Sequence, residues 1–343
     1  WFRIPGCLLP LRSRRWPGCL PHHPQQGFSF PKVNDPEILE YNLGSLENLY
    51  RATLLKISPR EDDLKQMELS DNYDAAAYFA ASKHLRDEAP TFQATRYKPM
   101  MYMRQEPEIF EKVKKQIEEA GIEWNLFIGS QTNLASFMRT LLVRRFESSQ
   151  YAFKISLENM LQNCLNIKNW VEKRHKVPIY KKGMLPDISS LYESTDDTMD
   201  EIISETAEMA IESLKSKGMF ELDADYLNDD FMKDLDSDIA ILSELKEHWS
   251  IIPDAKDPKL NEFVKIIKAQ LQKDSTRKIV VFSQFADTVE YLGRRLEEEN
   301  LPVFAYTSER ASEKNKEYIK ANFDAGYPAH KQVDVYKVLV ATD

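Results

Sequence analysis

The sequence predicts an α/β fold, a parallel-sheet lobe interrupted by a large, mostly α-helical insertion. Two apolar runs are the first sign. Lys278-Ile-Val-Val-Phe-Ser-Gln-Phe285 and Tyr336-Lys-Val-Leu-Val-Ala-Thr-Asp343 are short, β-branched and end in small polar residues. Buried parallel strands look like this, and ligands meet them at their carboxyl ends. The spacing between the two runs is the second sign. Helical patterns at 286–300 and 311–323 flank a strand at 302–306, giving β-α-β-α-β with connections long enough for right-handed crossovers. The third is that the apolar spacing over 58–253 is mostly helical.

Length allows two or three domains with ample core. Hydrophobic content of 42% and charged content of 29% place the chain in the soluble, globular class. The net charge of −9 weighs against a general nucleic-acid binder. That average conceals two blocks of opposite sign. Residues 139–182 hold ten Lys and Arg against three Glu, and residues 187–247 hold nineteen Asp and Glu against four Lys. Such neighbours mark either a binding face beside an acidic region or two solvated helix faces. Cys7, Cys19 and Cys164 follow no disulfide spacing, which suits a reducing compartment. No run reaches the eighteen apolar residues of a membrane span. Pro5, Pro10, Pro17 and Pro21 break any signal-peptide core. A cytoplasmic location is expected.

The chain divides into four segments. Residues 1–27 repeat Pro-Gly-Cys-Leu, are crowded with proline, and are expected to be irregular. Cys7, Cys19, His22 and His23 lack the paired spacing of a zinc site, and no metal is expected. Residues 28–57 read as a strand at 37–43, a Gly44-Ser45 turn and a helix at 46–57 with Leu46, Leu49, Tyr50, Thr53, Leu54 and Ile57 on its buried stripe. Residues 58–253 are the helical insertion. It includes an Ala-rich stretch at 71–84 and a helix at 107–120 that buries Ile109, Phe110, Val113 and Ile117 before Gly121. After these come the apolar run 130–161 and a basic stretch, 168–182, read as a helix end and a turn at Pro178. An acidic linker at 187–200 and helices at 200–217 and 229–249 complete the insertion. Ser148 and Ser149 have no histidine nearby in sequence to make a triad. Asp196, Asp197, Asp229 and Asp230 lack the turn of a calcium loop. Residues 254–343 return to the sheet.

The ordered runs "VVFSQF", "TVEYL", "IKANFDAG" and "VLVATD" resemble the second RecA-like lobe of superfamily-two helicases, with the Swi/Snf-like DNA-translocase branch the best fit. Motif IV would be 280–285 and the start of motif V 338–343. Asp257-Pro-Lys-Leu260 with Phe263 and Ile266 is similar to the helix leading into that lobe, where Lys259 matches a family lysine of open role. "ATRYKPMMYM" looks like a packing helix of the family, and Arg139-Thr-Leu-Leu-Val-Arg-Arg-Phe-Glu-Ser-Ser149 like a segment of bacterial helicases that carry a phospholipase-D-like nuclease. Ala305-Tyr-Thr-Ser-Glu-Arg-Ala-Ser312 departs from the chromatin-remodeller pattern, having lost its Gly and displaced its Arg, and so favours a diverged bacterial branch.

The resemblance implies an ATP-dependent DNA helicase or translocase, with lobe two beginning in 28–57 and resuming near 254. It implies that Ser283, Gln284 and Thr342 contact the nucleic-acid backbone, and that Thr342 and Asp343 couple that contact to the ATP cleft. Arg139, Arg144 and Arg145 would line a channel for double-stranded DNA. No G-x-x-x-x-G-K-[ST] occurs, nor an Asp-Glu-x-His or Asp-Glu-Ala-Asp run to hold magnesium. ATP and Mg2+ would therefore be held by a first lobe that lies outside the sequence. The chain is expected to be a fragment, ending inside motif V and inactive alone. The other reading is a non-catalytic nucleic-acid-binding scaffold that kept the fold.

Overall fold

The computed structural model describes residues 35–58, 90–104, 106–119, 121–180 and 219–342. The expectations for 1–27, with Cys7, Cys19, His22 and His23, lie outside the described residues. So do those for 71–84, for 187–200 with Asp196 and Asp197, for 200–217, and for Asp343.

Five helices form one packed body. They are α1 (Glu47–Ile57), α2 (Pro107–Glu119), α3 (Trp124–Ser148), α4 (Gln150–Arg174) and α5 (Asp230–Ser250). Local chemistry sets their ends. Gly121, at φ 78°, takes the left-handed conformation just past α2. Ser149 breaks the long apolar run into two helices: its backbone is extended, and its hydroxyl accepts from the Ala152 N–H at 3.1 Å. His175 closes α4 in the left-handed region at φ 52°.

The core of this body is aromatic. The Trp249 ring of α5 is fully buried and lies 5.0 Å from Tyr50, 5.3 Å from Phe146 and 5.7 Å from Phe153. Its Nε1 donates to Thr53 Oγ1 at 2.9 Å. These contacts correct one expectation. The predicted stripe of α1 does bury Tyr50, Thr53, Leu54 and Ile57, but against the helical body rather than against the parallel sheet. Residues 37–43 belong to neither sheet. Helix α1 is therefore part of the helical body.

Residues 91–103 form two 3-10 turns, at Thr95–Tyr97 and Pro99–Tyr102, in place of the α-helix that the resemblance implies. Two features prevent an α-helix. Pro99 lacks an N–H, and the buried Asp238 carboxylate of α5 draws off the Gln93 N–H (2.6 Å) and the Thr95 N–H (2.8 Å). The segment is still a packing element, with Phe92, Ala94, Tyr97, Met100, Tyr102 and Met103 buried.

The turn expected at Pro178 is also corrected. β1 (Lys176–Tyr180) runs through it and pairs antiparallel with β2 (Met219–Asp223), Pro178 opposite Glu221. In a two-stranded ribbon each strand has a free edge, and proline is tolerated there.

The sheet lobe follows a connector at 251–256. Helix α6 (Pro258–Lys273) starts at Asp257, whose carboxylate accepts from Lys259 N at 2.9 Å and Leu260 N at 3.1 Å, with Pro258 at the first helical position. Then come β3 (Ile279–Ser283), α7 (Ala286–Glu298), β4 (Val303–Tyr306), α8 (Glu313–Phe323) and β5 (Val338–Thr342). All three strands are parallel in the order β3-β5-β4, so the last strand is central. Ile279, Val281, Val338, Val340, Val303 and Ala305 share the face packed on α6 and α7. On the other face Phe304 packs with Tyr318 and Tyr336, while Val280 and Phe282 stay exposed.

Candidate nucleic-acid interface

Parallel pairing brings two distant sequence motifs together. Ser283 at the end of β3 is the register partner of Thr342 at the end of β5, so their Cα atoms lie one strand spacing apart, about 4.8 Å. Both side chains are half-buried and Gln284 is exposed. The Ser283 hydroxyl also accepts from the Phe285 N–H at 3.4 Å, which turns the chain into α7. Thr307 follows β4 on the same edge, 1% exposed, its Oγ1 without a hydrogen-bond partner among the described residues. Sequence reasoning passed over Thr307; its position one residue beyond the strand expected at 302–306 was the available signal.

The three arginines do not join this row. Arg145 is buried, its guanidinium stacked 4.7 Å over the Phe285 ring and ion-paired with Asp287 in the first turn of α7. Arg139 is 5% exposed and Arg144 half-buried, both on α3. The channel expected from Arg139, Arg144 and Arg145 is corrected on this ground. Arg139 and Arg145 are held inside the protein, and a phosphate would have to displace Asp287 to reach the Arg145 guanidinium.

Ser148 and Ser149 have a structural role. Both hydroxyls meet Thr288 Oγ1 of α7, at 2.8 and 2.9 Å. Lys259, whose role was open, reaches back from α6 so that its Nζ donates to the carbonyls of Glu147 (2.5 Å) and Ser148 (2.8 Å). An ammonium there satisfies orphan carbonyls at the negative end of α3. Burial pushes the Lys259 pKa down to about 8, with Asp257 and Glu147 pulling it the other way.

Two further groups bear on ligands. Among the described residues His175, Asp223 and Asp225 bring one ligand atom each within 4.8 Å of one another. Asp225 bonds His175 at 2.9 Å and Asp223 bonds Lys176 at 2.8 Å, so each carboxylate already has a partner. The phosphates of ATP need a cradle of backbone N–H groups and a cation. The accessible part of the strand-end row is the hydroxyls of Ser283 and Thr342 and the Gln284 amide, with Thr307 buried. Arg310, just beyond Thr307, is paired with Glu290 at 2.7 Å. That donor set does not fit a magnesium triphosphate on its own.

The fold and this row define a mixed α/β chain: a three-stranded parallel sheet with a polar row at its carboxyl edge, joined to a helical body. No protein-family profile matches the chain, and no curated protein matches it. Among solved structures it is similar to the helicase domain of Hef from Pyrococcus furiosus, at 15% identity and a TM-score of 0.28, over 73% of this chain and 42% of that one. The chain thus spans less than half the length of that structure, and at this superposition the likeness assigns neither family nor activity. No helix among the described residues is long and apolar enough to cross a membrane.

Proposed function

We propose that the chain is the second lobe of an ATP-dependent DNA helicase or translocase of the Swi/Snf-like, bacterial type. In this reading it acts in the cytoplasm on double-stranded DNA, with a phospholipase-D-like nuclease as companion. ATP and Mg2+ are held by another lobe. The observation that carries the proposal is the register of Ser283 beside Thr342, which sets the ends of two motif-like segments side by side at the carboxyl edge of a parallel sheet. From that edge the Ser283 and Thr342 hydroxyls and the Gln284 amide donate to phosphate oxygens, contacts that position a backbone without reading its sequence.

The test is fluorescence anisotropy of the whole chain with a labelled duplex and with one of its strands. The double variant Ser283→Ala, Gln284→Ala is expected to bind about tenfold more weakly, from about 0.7 kcal/mol per lost hydrogen bond. The chain is expected to hydrolyse no ATP by itself. Unchanged affinity in the double variant, or no binding of either nucleic acid by the parent chain, would sink the proposal.

A further inference from the structure

The described residues hold two separate apolar cores. One lies within the helical body around Trp249, Phe153 and Leu242, and the other between the sheet and α6 and α7. Among the described residues Tyr151 of α4 is the single side chain of the helical body packed against the sheet core. Everything else recorded across the junction is polar, ionic or ring stacking, and it gathers at the elbow between α3 and α4. Arg145 pairs with Asp287, Ser148 and Ser149 share Thr288, and Lys259 caps α3. Tyr151 stacks on Tyr291 at 5.2 Å and 5°, with the Arg294 guanidinium 4.9 Å over Tyr151.

The covalent link beside this elbow is open. From 251 to 256 the residues are exposed or half-buried, Ile251 at 74%, and only a short 3-10 turn, Asp254–Lys256, interrupts them. Lys154 of α4 ties that connector down through the Ile252 carbonyl at 2.5 Å. We propose that the elbow is a polar latch and residues 251–256 a hinge, so that the sheet lobe swings as a unit against the helical body when the latch opens.

Three features place the closed and open states near balance. The closed latch buries charge, and the desolvation of Arg145 offsets much of its attraction to Asp287. Closure also leaves Arg145 Nε and Gln150 Oε1 buried without partners among the described residues, a penalty that water removes on opening. And opening leaves each core intact on its own side, the apolar burial it gives up being the Phe285 ring and the Tyr151–Tyr291 stack; interfaces of this polar kind permit domain motion. Arg145 is thus a positioning residue of the latch, its charge answered by Asp287.

Hydrogen–deuterium exchange of the whole chain, read together with its radius of gyration by small-angle scattering, tests this. Asp287→Asn removes the charge at a half-buried position with little change of volume. It is expected to lose roughly tenfold or more of the protection at 144–154, 251–256 and 285–292, and to increase the radius of gyration. Amides of α5 and β5 should keep theirs. Asp287→Glu, which keeps the charge, should largely restore the parent pattern. Glu290→Gln, on the same helix but paired with Arg310, should leave the elbow unchanged. Equal loss of protection in both cores would mean a merely structural contact and overturn the latch. So would an unaltered elbow and radius in Asp287→Asn.

Discussion

At the scale of single residues, charged side chains were the hardest to place from sequence. Arg145 was expected to line a DNA channel from the resemblance of its segment, yet its partner Asp287 lies 142 positions on. Nothing in a local window announces such a pair. Lys259 shows what a half-buried position does to a titratable group. With its folded-state pKa lowered to about 8 from 10.5, the unfolded chain holds a proton between those values that the folded chain has released. By linkage, stability rises with pH across that window. Tyr41, Tyr50 and Tyr291 act in the opposite sense, since burial raises their pKa values above 10 and they lower stability once free tyrosine ionises. The Lys259 contribution is therefore read between pH 8 and 10 as the difference between the parent and a variant that lacks the amine. Urea midpoints are expected to increase from pH 7.5 to 9.5 in the parent relative to Lys259→Met; parallel pH profiles for the two would refute the assignment. Asp238 gives a second residue-scale prediction. Asp238→Ala strands the N–H groups of Gln93 and Thr95 and is expected to cost about 3 kcal/mol in denaturant unfolding, at about 1–3 kcal/mol per orphaned group.

Elements of the sheet lobe were legible because their signals are local. The strand expected at 302–306 is observed at Val303–Tyr306, the helix expected at 286–300 at Ala286–Glu298, and that at 311–323 at Glu313–Phe323. Short β-branched runs between helical spacings leave few alternatives. β1 was missed because proline masked it, and of the strand expected at 37–43 only a bridge at Leu39 is observed among the described residues. Strand order was not legible either, and it is what places Ser283 next to Thr342. One glycine fixes how closely a helix meets this sheet. A Cβ on Gly293 of α7 would lie 2.8 Å from Ala305 Cβ on β4, so α7 approaches the strand over a bare Cα. The helix interior forgoes about 1 kcal/mol of propensity there. Gly293→Val is expected to push α7 off β4 and cost about 1–3 kcal/mol. Thermal unfolding checks it: a melting temperature equal to the parent's would mean that α7 has room to spare.

For the molecule as a whole, the placement of charge governs how it can meet nucleic acid. The sequence showed a basic block at 139–182, and a fully solvated block of that kind would bind DNA with steep dependence on salt. Folding breaks it up. Arg139 and Arg145 go inside, Lys168 pairs with Asp236 at 2.7 Å, and Arg174 with Glu221 at 3.1 Å. The strand-end row that remains as the candidate contact, Ser283, Gln284 and Thr342, is neutral. Hydrogen bonds from neutral donors release few condensed counterions, whereas each phosphate neutralised by Lys or Arg adds about 0.9 to the slope of log affinity against log salt on duplex DNA. With a net charge of −9 repelling the duplex, binding by this chain is expected to be weak, with a log–log slope of magnitude about 1 or less between 50 and 200 mM salt. A slope of about −4 or steeper in the same anisotropy titration would mean that several cations carry the contact. The interface would then lie on the exposed lysines and not at the carboxyl edge of the sheet.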